Sequence, residues 1–284
     1  MKKLLLFIAI FIIFCAGLGL YGALKYRASL RESRTLAKVP EQSITLIEGW
    51  DNSDIAAYLD KQNIVPAADF LNAVKTFDLS KFQNNIPKEA AGSLEGFLFP
   101  DTYFIFKNTP SGTTVSEMII NKALDNFTQK ITPQMLTQAQ KDNMSLYQII
   151  ILASIIEKET GRNVTTAEQK TRLTEERKII SGIFYNRLKA GVPLQSDATV
   201  NFVTGKNDPS ASLEDTQIDS PYNTYKFRGL PPGPIANPSL SSIMAALYPT
   251  ASNYLYFLSD PTTGDAVYAA TYEEHLKNKQ KYLK

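Results

Sequence analysis

Residues 146–161 read Leu-Tyr-Gln-Ile-Ile-Ile-Leu-Ala-Ser-Ile-Ile-Glu-Lys-Glu-Thr-Gly. From Ile149 to Ile156 every residue is apolar or small, on all sides of a helical turn, so the segment predicts a central helix buried all round. Glu157, Lys158 and Glu159 then arrive together, and Gly161 offers the stop. At 100° per residue, Glu157 falls within about 20° of Leu146 and Ile150 and about 40° of Ala153. It therefore projects where the helix has been presenting apolar groups. It also sits in the last turn, where the helix dipole disfavours negative charge. Burial and dipole both push a carboxyl pKa upward, and Lys158 beside it opposes them. An acid still protonated near neutral pH is what cleavage of a glycosidic bond requires, because the departing oxygen must receive a proton. Glu157 equally marks the place where a buried helix simply reaches solvent. Spacing alone leaves both readings open.

Outward from this helix the chain reads as α+β and helix-rich. Ser116 to Phe127 forms an amphipathic helix. Thr166-x-x-Gln169 is a capping box for a long helix that reaches Ala190 and stops at Gly191 and Pro193. Asn237-Pro238 places a cap before a proline at the first helical position, opening a helix to about Leu247. Tyr254 to Leu258 and Ala266 to Ala269 read as a hairpin. Thr271-x-x-Glu274 caps a last helix that ends in lysines, as the dipole favours. Towards the N-terminus, Ser43 to Ile47 alternates like a strand. Asn52 or Ser53 caps a helix carrying Ile55, Ala56 and Leu59, and a second short helix presents Phe70, Leu71 and Val74. Strand, helix, helix is the order of a small LysM-like module, and equally of a plain α/β extension of the main domain.

Leu4 to Leu24 carries no charge. At about 1.5 Å per residue such a run covers the roughly 30 Å hydrocarbon core, and no small-residue cleavage site follows it. The expected organisation is a transmembrane anchor over 1–25, a basic linker over 26–40, a LysM-like subdomain over 41–88 and a catalytic domain over 89–284. Lys25, Arg27, Arg31 and Arg34 outnumber Lys2 and Lys3, which by charge alone puts the large domain in the cytoplasm; long domains translocate despite such charges.

A net charge of +2 argues against a grip on nucleic acid built from many phosphate contacts and leaves room for an uncharged polar substrate such as a glycan. The single cysteine, Cys15, lies in the apolar run, so the rest of the chain makes no disulfide and no thiolate metal site. The single histidine, His275, rules out a His-rich metal centre and any Ser-His-Asp triad not built around it; it reads as solvent-facing on the last helix.

Three more groups have polar chemistry to offer. Leu194 to Thr199 brings Gln195, Ser196, Asp197 and Thr199, able to hydrogen-bond sugar hydroxyl or acetamido groups, or simply to cap a helix. Ser220 to Tyr225, followed by Gly229 to Ile235, is proline-dense and stiff. It suits a cleft wall with Tyr222, Asn223 and Tyr225, or a rigid surface loop. Glu95 to Tyr103 places two carboxylates among aromatics, in a cleft or in the core.

Leu152 to Thr160 resembles the catalytic-helix motif of the MltG (YceG-like) murein transglycosylases. Glu95 to Tyr103, Tyr185-Asn186-Arg187-Leu188 with Leu194 to Thr199, and Tyr222 to Pro238 are similar, in the same order, to that family's other hallmarks. The resemblance runs from about residue 40 to the end. It implies a LysM-like subdomain joined to a catalytic domain outside the cytoplasmic membrane. It also implies endolytic cleavage of nascent peptidoglycan strands between N-acetylmuramic acid and N-acetylglucosamine, leaving 1,6-anhydro ends, and association with synthases of the penicillin-binding type. It casts Glu157 as the acid/base and Glu95, Gln195, Ser196, Asp197, Thr199, Tyr222, Asn223 and Tyr225 as substrate contacts, with no metal or organic cofactor. The alternatives are a hydrolase pairing Glu157 with Glu95 or Asp101, and a non-catalytic peptidoglycan-binding scaffold.

Overall fold

The computed structural model describes residues 20–22, 24–27, 41–106, 112–162, 164–206, 208 and 210–283. The expected anchor and linker lie outside the described residues except for a few positions near 20–27. Among the described residues no helix is long and apolar enough to cross a membrane.

The first unit is built on a two-stranded antiparallel sheet. β1 (Glu41–Thr45) turns Ile44 inward and pairs with β2 (Thr102–Phe106), Ile44 lying opposite Tyr103. Between the strands run α1 (Asn52–Lys61), α2 (Ala67–Thr76) and two short 3-10 turns. The cap of α1 is Asp51, not Asn52 or Ser53. The Asp54 N–H donates to Asp51 at 2.8 Å, and the Asp51 N–H donates back to the Asp54 carboxylate at 3.2 Å. Asn52 turns inward and donates to the Ser93 carbonyl at 2.7 Å. The sheet begun by β1 is completed by β2, which lies beyond residue 88.

The second unit gathers helices around α5 (Leu146–Thr160), whose neighbours are α4 (Pro133–Lys141), α6 (Ala167–Ala190), α7 (Asp197–Thr204) and α8 (Leu240–Leu247); α3 (Val115–Lys130) packs on α2 and β2. α5 opens on a Ser145/Gln148 capping box and is buried continuously from Ile149 to Glu157. α6 has the expected Thr166/Gln169 box, and its helix ends on Gly191 in the left-handed region. Gly182 lets α6 meet the Thr250 carbonyl closely; a Cβ there would lie 2.2 Å from that oxygen. α8 is capped by Ser239 rather than Asn237. Asn237 is buried and engaged elsewhere: it accepts from the Leu98 N–H at 2.9 Å and its Nδ2 donates to the Trp50 carbonyl at 3.0 Å. β3 (Tyr256–Ser259) and β4 (Ala266–Ala269) form the expected hairpin, followed by α9 (Tyr272–Tyr282). His275 on α9 is not solvent-facing but half-buried, its ring 5.3 Å from that of Tyr256. One contiguous apolar core runs from Ile44 of the first unit to Leu247 of the second.

Candidate active site

The end of α5 divides its two glutamates between two environments. Glu157 is 3% exposed. One of its oxygens accepts from Arg177 of α6 at 2.6 Å; the other accepts the Ser239 N–H at 2.9 Å and the Ser239 hydroxyl at 2.5 Å. The same guanidinium donates to Thr160 and to the Ser239 hydroxyl. Burial is as the helix period required, but the surroundings are not apolar. Both oxygens are taken by a buried ion pair and by the cap of α8, which ties the end of α5 to the middle of α6 and the start of α8.

Glu159 points to the other side and is only partly buried. It accepts a hydrogen bond from the Ser196 hydroxyl. Desolvation lifts its carboxyl to about 7, the Asp197 carboxylate adds to the rise, and the Ser196 hydroxyl and the Arg187 guanidinium oppose it. Ser196 and Asp197 begin α7. Ser196 occupies the N-cap yet makes no side-chain capping bond, because its hydroxyl goes to Glu159. The Tyr225 hydroxyl donates to Asp197 at 2.6 Å, and that contact together with desolvation raises the phenol. Gln195, exposed, holds a left-handed backbone at φ 51, uncommon outside glycine, and accepts from Arg187 at 3.4 Å. Arg187 is otherwise spent on the carbonyls of Leu194 and Leu255, at 2.8 and 2.6 Å, and so pins the chain that carries Gln195 and Ser196 to α6.

The residues expected to bind substrate therefore separate. Gln195, Ser196, Asp197 and Tyr225 gather around Glu159. Thr199 and Asn223 are buried behind them. The Thr199 hydroxyl is bonded to Thr224 and the Ser196 carbonyl, and the Asn223 amide to the carbonyls of Thr216 and Ile218. They shape the loop and have no group left for a ligand. Tyr222 packs its ring 5.0 Å from Phe202. Glu95 belongs to the join between the units: it accepts from the Asn52 N–H at 3.1 Å and from Asn237 at 3.4 Å, and desolvation drives it to about 8. Asp101 accepts from Asn126 at 2.9 Å. Among the described residues no hydrogen bond joins Glu95 or Asp101 to Glu157, whose partners are Arg177 and Ser239. Arg177 and Ser239 were not singled out from the sequence, and Arg187 entered only within the Tyr185–Leu188 motif, with no role given to it. Among the described residues no cluster of three metal-binding side chains occurs.

The arrangement offers one carboxyl that holds a proton near neutrality, flanked by a hydroxyl, a second carboxylate, a phenol and an amide. It suits proton transfer to a leaving oxygen of a polyhydroxylated ligand.

The sequence model of the YceG-like family matches residues 21–281. The chain is 38% identical over 250 residues to a Bacillus subtilis (strain 168) protein named endolytic murein transglycosylase, covering 84% of this chain and 65% of that one. It is 38% identical over 202 residues to a protein of the same name from Streptococcus pneumoniae serotype 2 (strain D39 / NCTC 7466), covering 68% of this chain and 34% of that one. The chain thus spans just under two thirds of the first relative and about a third of the second. Its fold matches the crystal structure of a yceG-like protein from Listeria monocytogenes, with a TM-score of 0.70 and 34% identity, over 84% of this chain and 76% of that one.

Proposed function

The chain belongs to the YceG-like family, and from that premise we propose that it is an endolytic murein transglycosylase whose acid/base is Glu159. The observation that carries the reading is the Glu159 carboxyl, raised to about 7 and set against Ser196, Asp197 and Tyr225. Glu157, the residue the motif resemblance favours, serves instead to lock α5 to α6 and α8. Its oxygens are committed to Arg177 and Ser239. In the reaction, protonated Glu159 gives its proton to the oxygen linking N-acetylmuramic acid to N-acetylglucosamine. The resulting carboxylate takes the proton of the muramyl C6 hydroxyl, whose oxygen closes on C1. A 1,6-anhydro end forms, the other fragment leaves with its hydroxyl, and no water is consumed. Gln195, Asp197 and Tyr225 orient the sugar and meet the positive charge developing at C1.

A second reading, a hydrolysing muramidase, is favoured by one observation: Asp197 stands beside Glu159, and two carboxylates are the usual equipment of glycoside hydrolysis. The Tyr225 hydroxyl occupies one Asp197 oxygen, which supports the lytic reading over it. Incubation with nascent glycan strands and mass analysis of the muramyl ends tests the proposal. Anhydro ends are expected; water-adducted ends favour the muramidase, and uncut strands leave only a binding scaffold. The uncharged run from Leu4 to Leu24 supports a single-pass anchor in the cytoplasmic membrane with the site outside it. There it would act on strands as penicillin-binding synthases extend them. The β1-α1-α2-β2 order supports a LysM-like role for the first unit.

A further inference from the structure

A cleft of about 910 Å³ lies between the first unit and the end of α5, on the side away from Glu159. One wall is the turn after β1, with Glu48 and Trp50. The other is α6, with Lys170, and Glu157 and Arg177 lie at the floor. Seven of its fifteen lining residues are ionisable, far more than a neutral sugar calls for. Some of those charges are already answered: Glu157 and Arg177 pair with each other, and Arg162 pairs with Glu176 at 2.6 Å. Glu48 and Lys170 are different. Both are exposed, and among the described residues neither side chain has a hydrogen-bond or ion-pair partner. They sense each other across the gap: Lys170 pulls the Glu48 carboxyl down, while desolvation and Glu157 outweigh it and leave Glu48 raised. Trp50 stands half-buried beside them, braced on Tyr58 with ring centroids 5.2 Å apart.

Two opposite charges that face one cleft without touching are complementary to a ligand carrying both signs. In a murein strand the N-acetylated sugars are neutral, and the charges sit on the peptide stem. Resting on the reading of the substrate as murein, we propose that this cleft binds the peptide stem of the strand, a free amine towards Glu48 and a free carboxylate towards Lys170. Glu157 at the cleft floor and Glu159 at the sugar lie two residues apart on one turn, about 3 Å of helix rise. A single rigid element therefore holds both subsites.

The test compares cleavage by the full chain of stem-bearing strands with that of strands stripped of stems by an amidase, alongside calorimetric binding of isolated stem peptide. The wild type is expected to cut stem-bearing strands faster. Lys170→Glu and Glu48→Gln should each lower that preference about two- to fivefold, the range for solvated ion pairs. Stripped strands should be cut at the wild-type rate, and the double swap Glu48→Lys with Lys170→Glu should restore the preference. An unchanged preference in both single variants overturns the proposal, and so does a wild type that binds no stem peptide. A wild type that cuts neither strand yet binds the peptide in a Lys170-dependent way overturns the cleavage reading and leaves the cleft assignment standing.

Discussion

At the scale of single residues, two glutamates separated by one lysine face different surroundings. Glu157 is half of a buried ion pair. Removing its charge leaves Arg177, 6% exposed at the side chain, without a counter-charge. Breaking such a pair typically costs about 3–5 kcal/mol, or at about 2–4 °C per kcal/mol a Tm lower by roughly 6–20 °C. Glu157→Gln should show that loss in a thermal melt, and adding Arg177→Met should recover part of it; a Glu157→Gln variant that melts like wild type contradicts the structural role. Glu159 has the opposite signature. Acting as the proposed general acid it must carry its proton, so kcat/KM should fall as pH rises through about 7. Asp197 raises that carboxyl, so Asp197→Asn should move the falling limb to lower pH. The Ser196 hydroxyl lowers it, so Ser196→Ala should move the limb to higher pH. A pH–rate profile on each variant reads both shifts directly. The helical period could not choose between the two carboxyls. Counting from Leu152 and Ile155 places Glu159 within about 20° and 40° of buried positions, just as Ile150 and Ala153 do for Glu157. A helix apolar on every face has no polar side to exclude. The choice is made by partners far along the chain, Arg177 20 residues on and Ser239 82 residues on.

At the scale of elements, the sequence predicted α5, α6 and α9 closely because the signals that start and stop them are local. Both halves of the Thr166/Gln169 and Thr271/Glu274 boxes lie three residues apart, and Gly191 follows α6 directly. The misread starts are those whose polar side chain is claimed from afar. Asn237 looks like a helix cap before proline, but its side chain serves Leu98, 139 residues away, and the cap passes to Ser239. Ser196, by contrast, does hold the cap position of α7, although its hydroxyl is spent on Glu159. The pairing of β2 with β1 was likewise illegible, since Thr102 to Phe106 carries no mark of its partner 57 residues earlier. The join that this pairing creates has a titration of its own. Glu95 rises from an ordinary 4.5 to about 8 on folding, because desolvation disfavours its charge. A raised carboxyl contributes stability that is fully present below pH 4.5 and is lost as pH climbs through about 8. Urea unfolding should therefore show stability declining across that window. Glu95→Gln, which stays neutral, should flatten the decline; an unaltered slope would count against the assignment.

At the scale of the whole molecule, two units share one core, and the link between them runs through Asn237, Glu95 and the turn after β1. That turn also walls the charged cleft, so the first unit takes part in the site's architecture. The helix-rich α+β class was legible from periodicity and caps. The division of labour at the end of α5 was not, because it is decided where helices from distant parts of the chain converge. The most direct test compares the muramyl ends released from nascent strands by wild type, Glu159→Gln and Glu157→Gln, each scaled to its folded fraction. Wild type should release anhydro ends, Glu159→Gln should lose about 10²–10⁴-fold, and Glu157→Gln should keep substantial anhydro product. Full anhydro product from Glu159→Gln, with none from folded Glu157→Gln, would contradict Glu159 as the acid/base.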